Sequence, residues 1–414
     1  MSTWCGSLIW QLLHVISYVL YRVLRRLILL ESDLFSTVKA CLTSNVFALE
    51  CEICYIVCRK RFHVGDIARG SDFMLFHKRF APSSTVHNDH WSLYTVTSKF
   101  AYFVYLPHSS NTYDIIHCPF FSLEQFTMAE YVARIPLNTF VSASHELRHF
   151  RGPVVMLTTM AGSGATLLAK FVQKTDESRR FLVVLSEMDV FSMIAAYQDS
   201  YEWSIRKVRY VLLAALRFAV KDQMTNQTIL FVLRANCTRL VNHFRSIAPF
   251  LSFIYIARRD VEASIALQKA IALKRGDIFQ TVVSIWKLSR TFCDWLTTWS
   301  WLEWSTTRLI DPQTPLEFFI SVTARSAIDF VKYRQYYSAP VIFFEDLAKN
   351  PGPAVEQVLD ICSNGGITCE SFQLEPSEVK ALELLATPSA ELYLAENERS
   401  LMSSILSNLG YPIL

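Results

Sequence analysis

The chain is poor in the residues that keep a polypeptide open. Of its 414 residues only 11 are glycine and 14 proline, while 51% are apolar, which excludes a low-complexity chain and calls for packed cores. An excess of one charge is missing too. Forty Lys and Arg face 37 Asp and Glu, no long basic run stands out, and a nucleic-acid partner is therefore not expected. Ten irregularly spaced cysteines are too few for a disulfide scaffold. The cluster Cys51, Cys54 and Cys58, with His63 beyond, would place its thiols on one helix face. No second pair follows, so buried or lipid-facing thiols are expected there rather than a metal.

Met1 to Tyr21 lacks Lys, Arg, Asp and Glu, which approaches the length of a spanning helix, but Gln11, His14 and Ser17 interrupt it. From Leu12 to Ile28 apolar residues recur at helical spacing, with Gln11, His14, Tyr18, Arg22 and Arg25 on the other face. Three placements are open: docking within the fold, a membrane contact through residues 8–30, or a true span. Arg22, Arg25 and Arg26 follow the apolar run, an order that favours a cytoplasmic or membrane-associated chain over a lumenal one.

Four units are expected along the chain: a helical segment over 1–70, a small antiparallel sheet with linker helices over 71–150, an α/β unit over 151–370 and a helical tail over 371–414. Residues 71–118 alternate apolar and polar between Pro, Ser and Asn clusters, the pattern of short antiparallel strands. Their histidines, at 77, 87, 90, 108 and 117, match no short ligand spacing and read as surface or turn residues. Two helical patterns parted at Pro136 follow over 122–150. From Pro153 the runs VVMLTT, FLVVLSE, TILFVLRA, SFIYIARR and PVIFFEDL alternate with longer helical stretches, as in a parallel sheet with crossover helices. Ligands of such sheets lie beyond the strands' carboxyl ends, which makes Glu187, Arg234, Arg258 and Glu345 informative. The segment 285–304 carries five tryptophans and is expected to pack into a core.

The first of these strands runs into Gly162, Ser163 and Gly164 and then a helix, the arrangement of a phosphate cradle. The loop has no Lys or Arg. Ala165 and Thr166 stand where an ATP-hydrolysing loop needs Lys and then Ser or Thr, which disfavours a kinase or ATPase.

The ordered set of this loop, Ser186-Glu187, the run FIYIARRD and the element Glu345-Asp346-Leu347 with Pro351 resembles the P-loop sulfotransferases that use 3′-phosphoadenosine 5′-phosphosulfate (PAPS). The resemblance covers about Pro153 to Gly366. It implies a P-loop-type parallel sheet, PAPS as sulfuryl donor, and a hydroxyl or amine acceptor on a carbohydrate or small molecule. It also implies that Gly162, Ser163, Gly164, Ala165 and Thr166 cradle the donor. Arg258, with a serine eight residues on, would hold the 3′-phosphate, but that position is Ala266, and Ser264 is the candidate substitute. Gly162 occupies the family's loop-cation position, so Arg234 is the candidate replacement cation. Glu187 or Asp189 is the candidate general base. Glu345 is expected to anchor the sheet end through backbone hydrogen bonds. The alternative is a catalytically impaired, sulfotransferase-like binding module.

Overall fold

Five short runs rich in Val, Ile, Leu and Phe form a sheet that is buried over nearly all its length. In a computed structural model, which describes residues 2–43, 50–109, 112–147, 150–274, 278–363 and 393–412, two five-stranded sheets organise the chain. The second in sequence comprises β6 (Val154–Thr159), β7 (Leu182–Ser186), β8 (Thr228–Val232), β9 (Ser252–Ala257) and β10 (Ile342–Phe343). Its order is β10-β9-β6-β8-β7, with every pair parallel. Strands covered on both faces need no polar alternation, which is why all of β6, β7 and β8 is buried. The chain leaves β6 toward β7, returns to β8 between them, then crosses to β9 on the other side. The carboxyl end of β6 therefore lies where the winding reverses, the place where open α/β sheets hold ligands.

The first sheet is antiparallel and runs, edge to edge, through Phe73–Ala81 (β2), Cys51–Arg59 (β1), Tyr131–Pro136 (β5), Phe100–Tyr105 (β4) and Trp91–Val96 (β3). The strands β2 (Phe73–Ala81), β3 (Trp91–Val96) and β4 (Phe100–Tyr105) fall within the alternating region. Two strands were not anticipated. Cys51–Arg59 is β1, so Cys51, Cys54 and Cys58 sit on a strand and not a helix face. Cys51 and Cys54 are buried and Cys58 is exposed, and no metal-holding group occurs among the described residues. Tyr131–Pro136 is β5, so the two helical patterns over 122–150 are a helix, a central strand and a helix. Val132, Ala133 and Ile135 are fully buried, and pairing with β1 and β4 outweighs the weak local pattern. Residues 112–119 form turns. His77 is a buried strand residue with Nδ1 2.9 Å from Glu52 Oε1, not a surface one, while His90 Nδ1 meets the Leu106 carbonyl at 2.9 Å.

The tryptophan segment folds into short helices. Trp286 and Trp299 are buried, and Trp299 stacks on Phe279 at 3.7 Å. Of the C-terminal tail, residues 371–392 lie outside the described residues, and Glu396–Asn408 is a helix.

Helix α1 (Ser2–Thr43) packs along β2 with its polar side inward. Tyr18 and Tyr21 are buried, and Tyr21 Oη donates to the Asp72 carbonyl at 2.9 Å. Arg25 donates to the Phe73 and Gly70 carbonyls, and Arg22 to that of Trp295. The apolar side faces away from the body, with Leu20, Leu27 and Leu34 more than half exposed. No helix among the described residues is long and apolar enough to cross a membrane.

Candidate functional site

The loop after β6 closes through two left-handed glycines. Gly162 has φ +76° and Gly164 φ +79°, a region that costs any residue with a Cβ about 1–2 kcal/mol. A Cβ on Gly164 would also lie 2.5 Å from the Phe344 ring, so backbone and ring approach as only glycine permits. Helix Ala165–Lys174 follows, and its first N–H groups have no intrahelical acceptor. Ser163 N donates back to the Met160 carbonyl. Among the described residues no acceptor meets the N–H groups of Gly162, Gly164, Ala165 or Thr166. They are free to bind an anion.

These groups line a cavity of about 320 Å³, with Ser186, Glu187, Arg234, Asn236 and Glu303 on its other walls. Strand ends bring them together: Ser186 ends β7, Glu187 follows it, and Arg234 follows β8. Three buried oxygens of lining residues, Ser163 Oγ, Ser186 Oγ and Glu303 Oε1, have no hydrogen-bond partner among the described residues. Each such group costs about 1–3 kcal/mol when left unsatisfied.

Arg234 is in the cavity wall but is not a free cation. Its Nη2 lies 2.8 Å from Glu187 Oε2, and its Nε donates to Asp189 Oδ1 at 2.9 Å. Nη1 reaches the Gly65 carbonyl, and Asp189 Oδ2 accepts from Ala68 N at 2.8 Å. The Arg234–Asp189 pair is thus a strut between the end of the parallel sheet and the loop that joins β1 to β2. Glu187 has φ +54°, strain of the kind found at functional sites, and burial raises its carboxyl pKa despite Arg234. It pairs with Arg234 and not with Arg258.

Arg258 and Ser264 shape the loop. Arg258 Nε donates to the Gly162 carbonyl at 2.7 Å, and its guanidinium lies 3.9 Å from the Phe344 ring centroid. Ser264 Oγ donates to the Ala161 carbonyl. Neither residue lines the cavity, although the two Nη atoms of Arg258 have no partner among the described residues. Ala266 is buried. Glu345 accepts from the Arg259 and Asp260 N–H groups, the anchoring role expected of it.

Sequence reasoning missed Glu303. It lies in the tryptophan segment, far from any strand end, and enters the cavity because Asp199, Glu303 and Asp329 converge on buried Arg239. Burial, outweighing the Arg239 attraction, pushes the Glu303 carboxyl up to about 7.

A second, larger cavity of about 780 Å³ lies between α1, the Arg69–Ser71 turn and the tryptophan segment. Arg22, Arg25, Arg26 and Arg69 line it, with Trp295, Trp301 and Trp304. Arg69 donates to the Trp295 and Asp294 carbonyls, so carbonyls hold Arg22, Arg25 and Arg69 without neutralising them. The 301–304 turn separates the cavities, with Trp301 and Trp304 on one side and Leu302 and Glu303 on the other.

Neither a family model nor a curated protein matches the chain. Among the solved structures similar to it are two sulfotransferases. A sulfotransferase from Alicyclobacillus acidocaldarius is 14% identical over 60% of this chain and 98% of its own, with a TM-score of 0.33. The sulfotransferase domain from the curacin biosynthetic pathway is 12% identical over 64% of this chain and 100% of its own, with a TM-score of 0.28. Likenesses of this strength carry no functional reading of their own, which has to come from the residues of the cavity.

Proposed function

We propose that the loop cavity binds a PAPS-type nucleotide and that the chain transfers its sulfuryl group, slowly, to a hydroxyl or amine. The observation that carries this reading is the set of four loop N–H donors that meet no acceptor among the described residues and belong to residues lining one cavity. That set suits a phosphate or sulfate better than an apolar ligand. The donor, when bound, supplies a sulfuryl group on a phosphate leaving group. Gly162, Gly164, Ala165 and Thr166 would hold its charged oxygens through the backbone, and the free Nη atoms of Arg258 would meet the 3′-phosphate. Both carboxylates of the wall are paired, Glu187 with Arg234 and Glu303 with Arg239, and Glu303, pushed up to about 7, is the base we assign.

The expected slowness comes from Arg234, the one cation lining the cavity among the described residues. Losing a preorganised donor to the developing charge costs about 2.7–4 kcal/mol, or roughly 10²–10³ in rate. The same ion pair favours a second reading, a module that binds the nucleotide and transfers nothing.

Release of 3′-phosphoadenosine 5′-phosphate from PAPS, measured with a panel of sugars, phenols and amines, separates the two. Acceptor-dependent release that falls about 100-fold in Glu303→Gln supports transfer. Binding without release for any acceptor leaves the module, and absence of binding overturns both.

A further inference from the structure

Four arginines share one cavity without a carboxylate to neutralise them. Arg22, Arg25, Arg26 and Arg69 line the space of about 780 Å³ beside α1, and none of them is ion-paired among the described residues. Their partners are carbonyls, those of Phe73 and Gly70 for Arg25 and that of Trp295 for Arg22 and Arg69. Arg26 is exposed and has no hydrogen-bond partner among the described residues. A carbonyl fixes the plane of a guanidinium and leaves its charge, and donors such as Arg22 Nη2 and Arg25 Nη1 stay unspent. Two carboxylates line the same space. Asp294 is held by Arg308 and Ser300, which leaves exposed Glu202 alone against four positive charges. Burial lowers the Arg25 pKa, and the like charge of Arg22 adds to the lowering.

We propose that this cavity binds a sugar or cyclitol ring carrying two or more sulfate or phosphate groups. It is a site apart from the loop cavity, and it stands whether or not the chain transfers a sulfuryl group. Guanidinium forks match the oxygens of such anions two at a time. The arginines come from two places, α1 and the turn at Arg69, so they engage more than one anionic group. An apolar ligand would strand their charge. The ring is called for by the tryptophans. Trp301 and Trp304, both half-buried, line the same space, and Trp301 meets Tyr197 edge to face at 4.9 Å. The volume lies within the roughly 300–1,000 Å³ of small-molecule pockets, far more than a bare sulfate fills. The charge excess is local: the whole chain carries only +3, which favours a compact ligand over a nucleic-acid strand.

The test is calorimetric titration of the full chain with sucrose octasulfate and, separately, inositol hexakisphosphate. At least one should bind at about micromolar Kd, and the tighter of the two identifies the sulfated or the phosphorylated ring as the class the site takes. Inorganic sulfate should bind at least about 100-fold more weakly, and sucrose not at all. Arg26→Gln, at a side chain without a partner in the body, should weaken the polyanion about 10-fold. Trp304→Ala should weaken it by about 3- to 10-fold. Lys332→Gln removes the same charge from an exposed position outside the cavity, and Arg258→Met acts at the loop cavity, so neither should change the affinity. Binding of neither polyanion overturns the proposal. So does an equal loss in Lys332→Gln, which would mean diffuse surface charge, or a loss in Arg258→Met, which would put the polyanion at the loop. A thymidine oligonucleotide that binds more tightly than both polyanions would assign the cavity to nucleic acid and overturn it equally.

Discussion

Replacing Glu187 by Gln should tighten nucleotide binding while leaving the fold in place. Arg234 Nη2 is held 2.8 Å from Glu187 Oε2, and a phosphate in the cavity has to compete for that donor. A hydrogen bond to a charged group contributes about 1.5–3 kcal/mol. Both side chains are about one-fifth exposed, 19% for Arg234 and 23% for Glu187, so screening sets the value near the lower end. Gln keeps a neutral acceptor and removes the charge, so the substitution returns about 1–2 kcal/mol to the ligand, or roughly 5- to 30-fold in Kd. The fold should lose less than about 1 kcal/mol, because Glu187 is already held in a strained, desolvated conformation and Asp189 still holds Arg234 Nε. Calorimetric titration with 3′-phosphoadenosine 5′-phosphate, beside urea unfolding, measures both quantities. Unchanged or weaker binding in a normally folded Glu187→Gln protein would refute the view that the Arg234 ion pair limits the site.

Other outcomes follow from the same geometry. Gly164→Ala should destabilise by about 2–4 kcal/mol, the sum of the left-handed backbone and the forced movement of Phe344, read by urea unfolding; a change below 1 kcal/mol would mean that the loop rearranges freely. Glu303, raised from an ordinary value of 4.5 to about 7, binds its proton more tightly in the folded chain. Its contribution is fully present below pH 4.5 and is lost as pH rises through 7, by on the order of 3 kcal/mol. Glu303→Gln should flatten that part of the stability profile, and an unaltered profile would assign the pH dependence elsewhere. Asp189→Ala leaves Ala68 N–H and half of Arg234 unsatisfied and should cost about 3–5 kcal/mol, with the antiparallel sheet losing its hydrogen-exchange protection against the parallel one. Equal loss of protection in both sheets would argue against a strut.

The parallel sheet was legible because its strands are buried on both faces, and continuous apolar runs such as VVMLTT ended where β6 ends. The run PVIFFEDL was legible only in part. Ile342–Phe343 alone pairs with β9, and Phe344 turns into a helix to meet Gly164. Strands β1 and β5 were hidden because their partners lie far along the chain, and the cysteine spacing of β1 mimicked a helix. At the site, the loop and strand-end residues followed from local pattern. The partners of Arg234 and the arrival of Glu303 depend on tertiary contacts that no spacing encodes. The inward polar side of α1 was visible as amphipathicity, but periodicity does not tell which side meets the body.

The most direct test of the account is calorimetric titration of the native chain with 3′-phosphoadenosine 5′-phosphate and, separately, ATP. Free loop donors predict binding of the first at about micromolar Kd, weakened by Arg258→Met, and no binding of ATP, for which the loop has Ala165 in place of the lysine. Heat from neither ligand, or equal affinity for both, would contradict the assignment of this cavity to a sulfuryl donor.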